Sequence, residues 1–269
     1  MKVFCEALDY HIEVPLRPER VICLVAAATE ALYAMGLGDR VVGVSCYCDR
    51  YVPDLNKPVA GDYLKIDKQV FAELNPDLVV VTTGVQRKLG LELAKRELPV
   101  YALSLPNSFY GILENNVILG ALVNEVQAGR ELSRRMEEQA RVIRERSPRN
   151  RPRVYTELWF ARHMRSIGGF TYIDDLVSLA GGESIFAHKR AGYLVPDFEE
   201  VVAARPDIFL LFSEEVYPVD PRRLVEERGW DKSLSLRIVE STVERGRNLI
   251  QEGPSIVETA AWLQEQLHQ

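Results

Sequence analysis

The residues of this chain best suited to chemistry are gathered in Trp159-Phe160-Ala161-Arg162-His163-Met164-Arg165. Two aromatic rings beside three basic side chains suit a ligand that is both flat and anionic. Rings cover flat area, and guanidinium groups grip carboxylates or phosphates in two-pronged fashion. Similar residues follow other apolar runs: Thr29, Tyr47 and Tyr51, Thr82, Thr83 and Arg87, and Tyr193. Ligands of open α/β sheets sit outside the carboxyl ends of the strands, so these positions form the expected rim of a binding site. Segments 105–107, 188–193 and 212–215 belong to the same rim. Taken singly, each residue is also what any exposed loop collects.

Catalysis finds little support. Gly36-Leu37-Gly38 ends a helix rather than opening one, and no Gly-x-Gly-x-x-Gly follows a strand. Phosphate-loop, nucleophile-elbow and His-Glu-x-x-His patterns are absent from the sequence. No catalytic residue is therefore assigned, and the chain is read as a non-enzyme. His163 and His188 are of the commonest metal-ligand type, but hydrogen bonding at the rim accounts for them as well. Cys46-Tyr47-Cys48 lacks a second pair, so Cys5, Cys23, Cys46 and Cys48 are expected as free thiols and no metal site is assigned.

The 269 residues carry a net charge of −6 and an isoelectric point near 5.4, which argues against nucleic acid as a partner. No apolar run is long enough to insert into a membrane. Met1-Lys2-Val3-Phe4-Cys5-Glu6 lacks the apolar core of a signal peptide. That start is expected of a cytoplasmic protein or of a mature end, and it leaves the localisation open.

The elements that must position the rim are written twice. Glu30-Ala31-Leu32-Tyr33-Ala34-Met35-Gly36-Leu37-Gly38-Asp39-Arg40-Val41-Val42 is answered by Asp174-Asp175-Leu176-Val177-Ser178-Leu179-Ala180-Gly181-Gly182-Glu183-Ser184-Ile185-Phe186. Ala72-Glu73-Leu74-Asn75-Pro76-Asp77-Leu78-Val79 is answered by Val202-Ala203-Ala204-Arg205-Pro206-Asp207-Ile208-Phe209. Strands alternating with helices predict parallel sheets, and the repeat predicts two similar α/β lobes with a ligand cleft between them. The rhythm breaks at 110–146, where helical apolar spacing runs without proline. This predicts one helix of roughly 35 residues, about 50 Å long. A pair of helices broken near Gly129 is the alternative. The expected domains are residues 1–110, a connecting helix over 111–147, and residues 148–269. A small hairpin over 2–14 and a final helix over 256–267 complete the reading.

Several stretches resemble one family. They are Pro18-Glu19-Arg20-Val21-Ile22-Cys23-Leu24, Ala28-Thr29-Glu30, Gly36-Leu37-Gly38-Asp39-Arg40-Val41-Val42-Gly43-Val44-Ser45, Lys57-Pro58-Val59, Asn75-Pro76-Asp77-Leu78-Val79 and Leu179-Ala180-Gly181-Gly182. The chain is similar to the substrate-binding proteins of ABC importers for cobalamin, ferric siderophores and haem, the helical-backbone metal receptors. That resemblance implies two α/β lobes on one backbone helix, no resident cofactor, and an iron or cobalt chelate as ligand. It also implies a permease partner met by one surface glutamate per lobe. Glu199 or Glu200 fills that position in the second lobe, whereas Gln69 stands there in the first, with Asp67 and Glu73 nearby. Family cobalamin proteins surround the corrin with tryptophans, and this rim offers Thr82, Thr83 and Tyr193 instead. A cytoplasmic sensing relative without a permease, and a chelatase-like enzyme on the same scaffold, stand as alternatives.

Overall fold

The computed structural model describes residues 1–160, 162–213, 217–241 and 249–269. The chain divides into two compact units. One takes Met1–Pro106, Tyr110–Glu137 and Glu252–Pro254; the other takes Asn107–Phe109, Glu138–Gln251 and Ser255–Gln269.

The first unit opens with β1 (Lys2–Cys5) and β2 (Tyr10–Glu13), paired antiparallel around Asp9, whose φ is 51°. Then follow β3 (Val21–Cys23), α1 (Ala26–Ala34), β4 (Val41–Ser45), β5 (Val59–Gly61) and α2 (Lys68–Leu74). β6 (Leu78–Thr82), α3 (Arg87–Ala94) and β7 (Val100–Leu103) complete the alternation. The five strands β3 to β7 form one parallel sheet in the order β5-β4-β3-β6-β7. β3 and β6, buried along their whole length, are the near-continuous apolar runs that a sheet covered on both faces requires. Ile22, Leu24, Val79 and Val81 meet Leu8, Leu89 and Leu93 in the core.

The expected single helix over 111–147 is two helices, α4 (Phe109–Leu122) and α5 (Val126–Arg146). The break lies at 123–125 and not at Gly129. Asn124 takes φ 58°, a left-handed conformation that asparagine tolerates at a helix end, and the Glu125 amide returns to the Gly120 carbonyl at 2.7 Å. Apolar spacing continues through this turn, which is why periodicity alone missed it. α5 then folds back along α4. A β-carbon on Gly129 would lie 2.5 Å from the Asn116 carbonyl oxygen, and one on Gly120 would lie 3.1 Å from Gly129. The Ser133 hydroxyl donates to the Leu113 carbonyl across the same contact at 2.8 Å. Gly120 and Gly129 let the two backbones touch. α5 remains the long helix of the chain, with 126–137 in the first unit and 138–146 in the second.

The second unit contains β8 (Arg153–Phe160), β9 (His163–Ile167), α6 (Tyr172–Leu179), β10 (Glu183–Ser184) and β11 (Tyr193–Leu194). They are followed by α7 (Phe198–Ala204), β12 (Ile208–Ser213), α8 (Pro221–Glu227), α9 (Trp230–Ser233), β13 (Arg237–Ser241) and α10 (Ile256–Leu267). Its parallel strands run β10-β8-β12-β13, matching β4-β3-β6-β7 of the first unit. The sheet is mixed and not purely parallel, because β9 and β11 add antiparallel pairs beside β8. Tyr155, Phe209 and Trp230 form its aromatic core.

Local chemistry explains the repeat. Asp67 caps α2 by accepting from the amides of Gln69 and Val70, and Asp197 caps α7 by accepting from that of Glu199. Each helix ends eight residues after its cap at a left-handed residue, Asn75 or Arg205, directly before Pro-Asp. Asp77 then accepts from the amides of Glu19 and Arg20 at 2.9 Å, and Asp207 from that of Arg153 at 2.7 Å. The basic run near the end of α5 is solvated and paired, with Arg141 bridging Glu138 and Glu145.

Gly129→Ala should destabilise the protein by about 1–3 kcal/mol, the scale of overpacking, despite the roughly 1 kcal/mol that alanine gains as a helix former. A urea midpoint equal to or above that of the unchanged protein would refute the close helix crossing.

Candidate functional site

In the first unit, the residues past β4 and β5 form a small aromatic platform. The Cys46 amide donates to the Gly61 carbonyl at 3.1 Å, which sets the two strand ends side by side. Asp62 then accepts from the amides of Leu64 and Lys65, a local turn that projects Tyr63. Tyr63 stacks on Tyr47 with ring centroids 4.5 Å apart and planes 16° from parallel. The Arg50 guanidinium lies over the Tyr47 ring at 5.1 Å. Tyr51 and Glu252 act on the Tyr63 hydroxyl, and burial first, then these neighbours, push its pKa above the ordinary phenol value. Tyr63 and Glu252 escaped the sequence reading. Tyr63 stands in a loop whose partner lies 16 residues away, and nothing local marks Glu252 at all.

The other first-unit candidates separate. Thr29 is fully buried, its hydroxyl directed to the Val25 carbonyl and the Cys48 thiol, so it supports β4 from inside and is withdrawn from the rim. Thr82 is buried as well and donates to the Leu103 carbonyl at 3.3 Å. The half-buried Thr83 accepts from the Leu105 amide at 2.7 Å, and Arg87 is exposed at the first turn of α3. All four cysteines are free thiols, and burial raises the pKa of Cys23 and of Cys48. No group of three potential metal-ligating His, Cys, Asp or Glu side chains occurs among the described residues.

In the second unit, the segment read as a loop after a strand is a hairpin. β8 continues through Trp159 and Phe160, and β9 returns from His163, pairing Trp159 with Met164 and Phe160 with His163. Arg162 and His163 are exposed at its tip, and Arg165 is half-buried with its guanidinium on the Met164 carbonyl at 2.8 Å. Gly168 and Gly169 follow β9 and are held in place. Their amides donate to the carbonyls of Gly192 and Lys189, where any β-carbon would collide with the 187–191 backbone. That lacing brings the 188–193 segment against the hairpin, and Tyr193 meets the edge of Phe160 at 6.1 Å. Phe160, His163, Arg165 and Tyr193 thus share one face of the hairpin with Arg162 at its tip, whereas Trp159 pairs with Met164 on the opposite face. Ala161, Glu214 and Glu215 of the expected rim lie outside the described residues.

On α7, Glu199 and Glu200 differ. Lys189 pairs with Glu200, whereas Glu199 is exposed and occupies the second position after its capping aspartate, as Gln69 does in α2. Gln69 itself bonds Glu73 at 2.9 Å.

Glu252 borders a small cleft in the first unit with Val25, Ala28, Thr82, Asn115 and Asn116. Burial raises its pKa from 4.5 to about 7. The folded state therefore holds this proton more tightly than the unfolded chain. Stability falls as pH rises from about 4.5 to about 7, and the full cost is present above that range. Glu252→Gln should gain about 1–3 kcal/mol at pH 8 and nothing below pH 4.5. Denaturation curves at the two pH values check this; an equal effect at both would contradict it.

Among solved structures, the chain is similar to a possible iron-binding (periplasmic solute-binding) protein from Staphylococcus epidermidis ATCC 12228. The TM-score is 0.79 at 19% identity, covering 94% of this chain and 100% of that one. The periplasmic heme-binding protein RhuT from Roseiflexus sp. RS-1 in apo form aligns with a TM-score of 0.72 at 22% identity, over 93% and 98% of the two chains. These likenesses show the fold. A vitamin B12-binding protein of Yersinia pestis (strain Pestoides F) is 28% identical over 197 residues, 72% of this chain and 69% of that protein. The family model described as periplasmic binding protein matches residues 21–234, most of the sequence and both repeats, and the chain belongs to that family.

Proposed function

We propose that this protein is a non-catalytic receptor for a metal chelate, a ferric siderophore, haem or corrinoid, and that it delivers the chelate to an ABC-type permease. The observation that carries the reading is the second-unit hairpin surface, which gathers Phe160, Tyr193, His163 and Arg165 on one face, with Arg162 at the tip and Trp159 on the other face. Such a surface covers a flat ligand and answers its peripheral carboxylates. The first unit offers the Tyr47–Tyr63 stack, with the Arg50 charge over the Tyr47 ring. The relatives named for vitamin B12, heme and iron support the same class of ligand.

Thermal melts with haemin, cyanocobalamin and ferric siderophores test the reading. A ligand at 100 times its Kd should add about 2.7 kcal/mol to stability, and no shift with any of the three classes would reject it. Arg162→Ala or Arg165→Ala should then weaken binding by about 1.5–3 kcal/mol, the scale of a hydrogen bond to a charged group. Trp159→Ala should also cost affinity, with little dependence on salt.

The permease contact falls to Glu199 in this reading, because Lys189 already occupies Glu200. Glu199→Ala should lower ligand-dependent uptake in a reconstituted transporter several-fold while leaving chelate affinity unchanged. Equal uptake by the variant would remove Glu199 from the contact.

A further inference from the structure

In the middle of β8 stands a carboxylate with no exposure to solvent. Glu157 is fully buried, and its oxygens accept four hydrogen bonds. Arg228 supplies two, from Nη1 to Oε2 at 2.8 Å and from Nη2 to Oε1 at 3.0 Å. The Tyr155 hydroxyl supplies one at 2.8 Å, and the Trp159 indole Nε1–H supplies the last at 2.8 Å. The Arg228 guanidinium lies over the rings of Phe198 at 4.3 Å and Trp230 at 4.9 Å.

A buried ion pair seldom stabilises a fold more than apolar residues of equal volume would, so its use is sought in what it orients. Glu157 and Trp159 are two apart on one strand and share a face. Trp159 stands where β8 leaves the core for the hairpin tip, and Phe198 is the first residue of α7. One charge pair therefore reaches the Trp159 ring at the base of the candidate hairpin and the helix turn that carries Glu199.

We propose that Glu157 is a positioning residue: backed by Arg228, it presets the Trp159 indole for the ligand and ties that ring to the first turn of α7. An indole held by its N–H has already lost its rotational freedom, so a ligand that packs on it loses less entropy in binding. Contact at Trp159 is then felt through Glu157 and Arg228 at Phe198. The inference takes from the receptor reading only the identity of what Trp159 meets.

The test begins without ligand. Solvent exchange of the Trp159 indole N–H is followed by NMR in the unchanged protein, Glu157→Gln and Glu157→Ala. Glutamine keeps an acceptor for the indole; alanine removes it. Exchange should quicken about tenfold or more in Glu157→Ala and less than about threefold in Glu157→Gln, a rescue that general loosening would not produce. Arg228→Lys keeps the charge but loses the two-pronged grip and the ring contacts, and it should speed amide exchange in the first turn of α7 several-fold. It also serves if Glu157→Ala does not fold. Equal indole exchange in Glu157→Ala and the unchanged protein overturns the positioning role, and unchanged α7 amides in Arg228→Lys overturn the tie. With haemin, cyanocobalamin or ferrichrome, whichever raises the melting temperature, affinity should fall at least about tenfold in Glu157→Ala and under threefold in Glu157→Gln; equal affinity in Glu157→Ala overturns the presetting. If none of the three binds the unchanged protein, the receptor reading fails while the indole measurement still decides the ring's restraint.

Discussion

The two large sheets of this protein depend on where their central strands begin, and a proline followed by an aspartate sets that point. The aspartate carboxylate takes the amide of the residue that opens or directly precedes the strand, Arg20 before β3 and Arg153 in β8. Its own amide returns to the carbonyl of the same residue at 3.1 and 2.8 Å. The helix before it must therefore stop in time, which Asn75 and Arg205 accomplish in the left-handed region although only the first is of a type that favours it. With the strand starts pinned, the carboxyl ends fall at definite places, and the Tyr47 loop and the Trp159 hairpin are displayed from those ends.

On this shared frame the two units carry different chemistry. The first ends β4 and β5 in phenols, with Glu252 held near neutrality beside them. The second lengthens β8, turns it back as β9 and laces the 188–193 segment against it, producing aromatic edges with cations at the tip. The insertion explains why the second sheet is mixed: a strand that must return at once can only pair antiparallel.

A preset surface needs restraint beneath it, and the restraint here is electrostatic. A buried carboxylate is tolerable when every lone pair is engaged, and Glu157 meets that condition with Arg228, Tyr155 and Trp159. The guanidinium spends its flat faces on Phe198 and Trp230, so the same group serves charge and packing. Lys189 links the neighbouring segment to Glu200 on α7 as well.

By itself the sequence determined the alternation of strands and helices, the repeat, and the hairpin at its start, because those follow from local apolar spacing and from residues that stop helices. It also marked the Trp159–Arg165 cluster, since aromatic and basic residues at a strand end are visible without neighbours. Only the tertiary structure decided that 110–146 is two helices, because Asn124 turns the chain without interrupting the apolar pattern and the glycines act by contact across it. The same holds for Thr29, whose hydroxyl type suggested a ligand contact until packing placed it inside. Tyr63, Glu252 and the Glu157–Arg228 pair have their partners 16 to 190 or so residues away, a distance over which no periodicity operates. Composition and spacing report what each residue prefers; which distant residue it meets is set by how the sheets close around it.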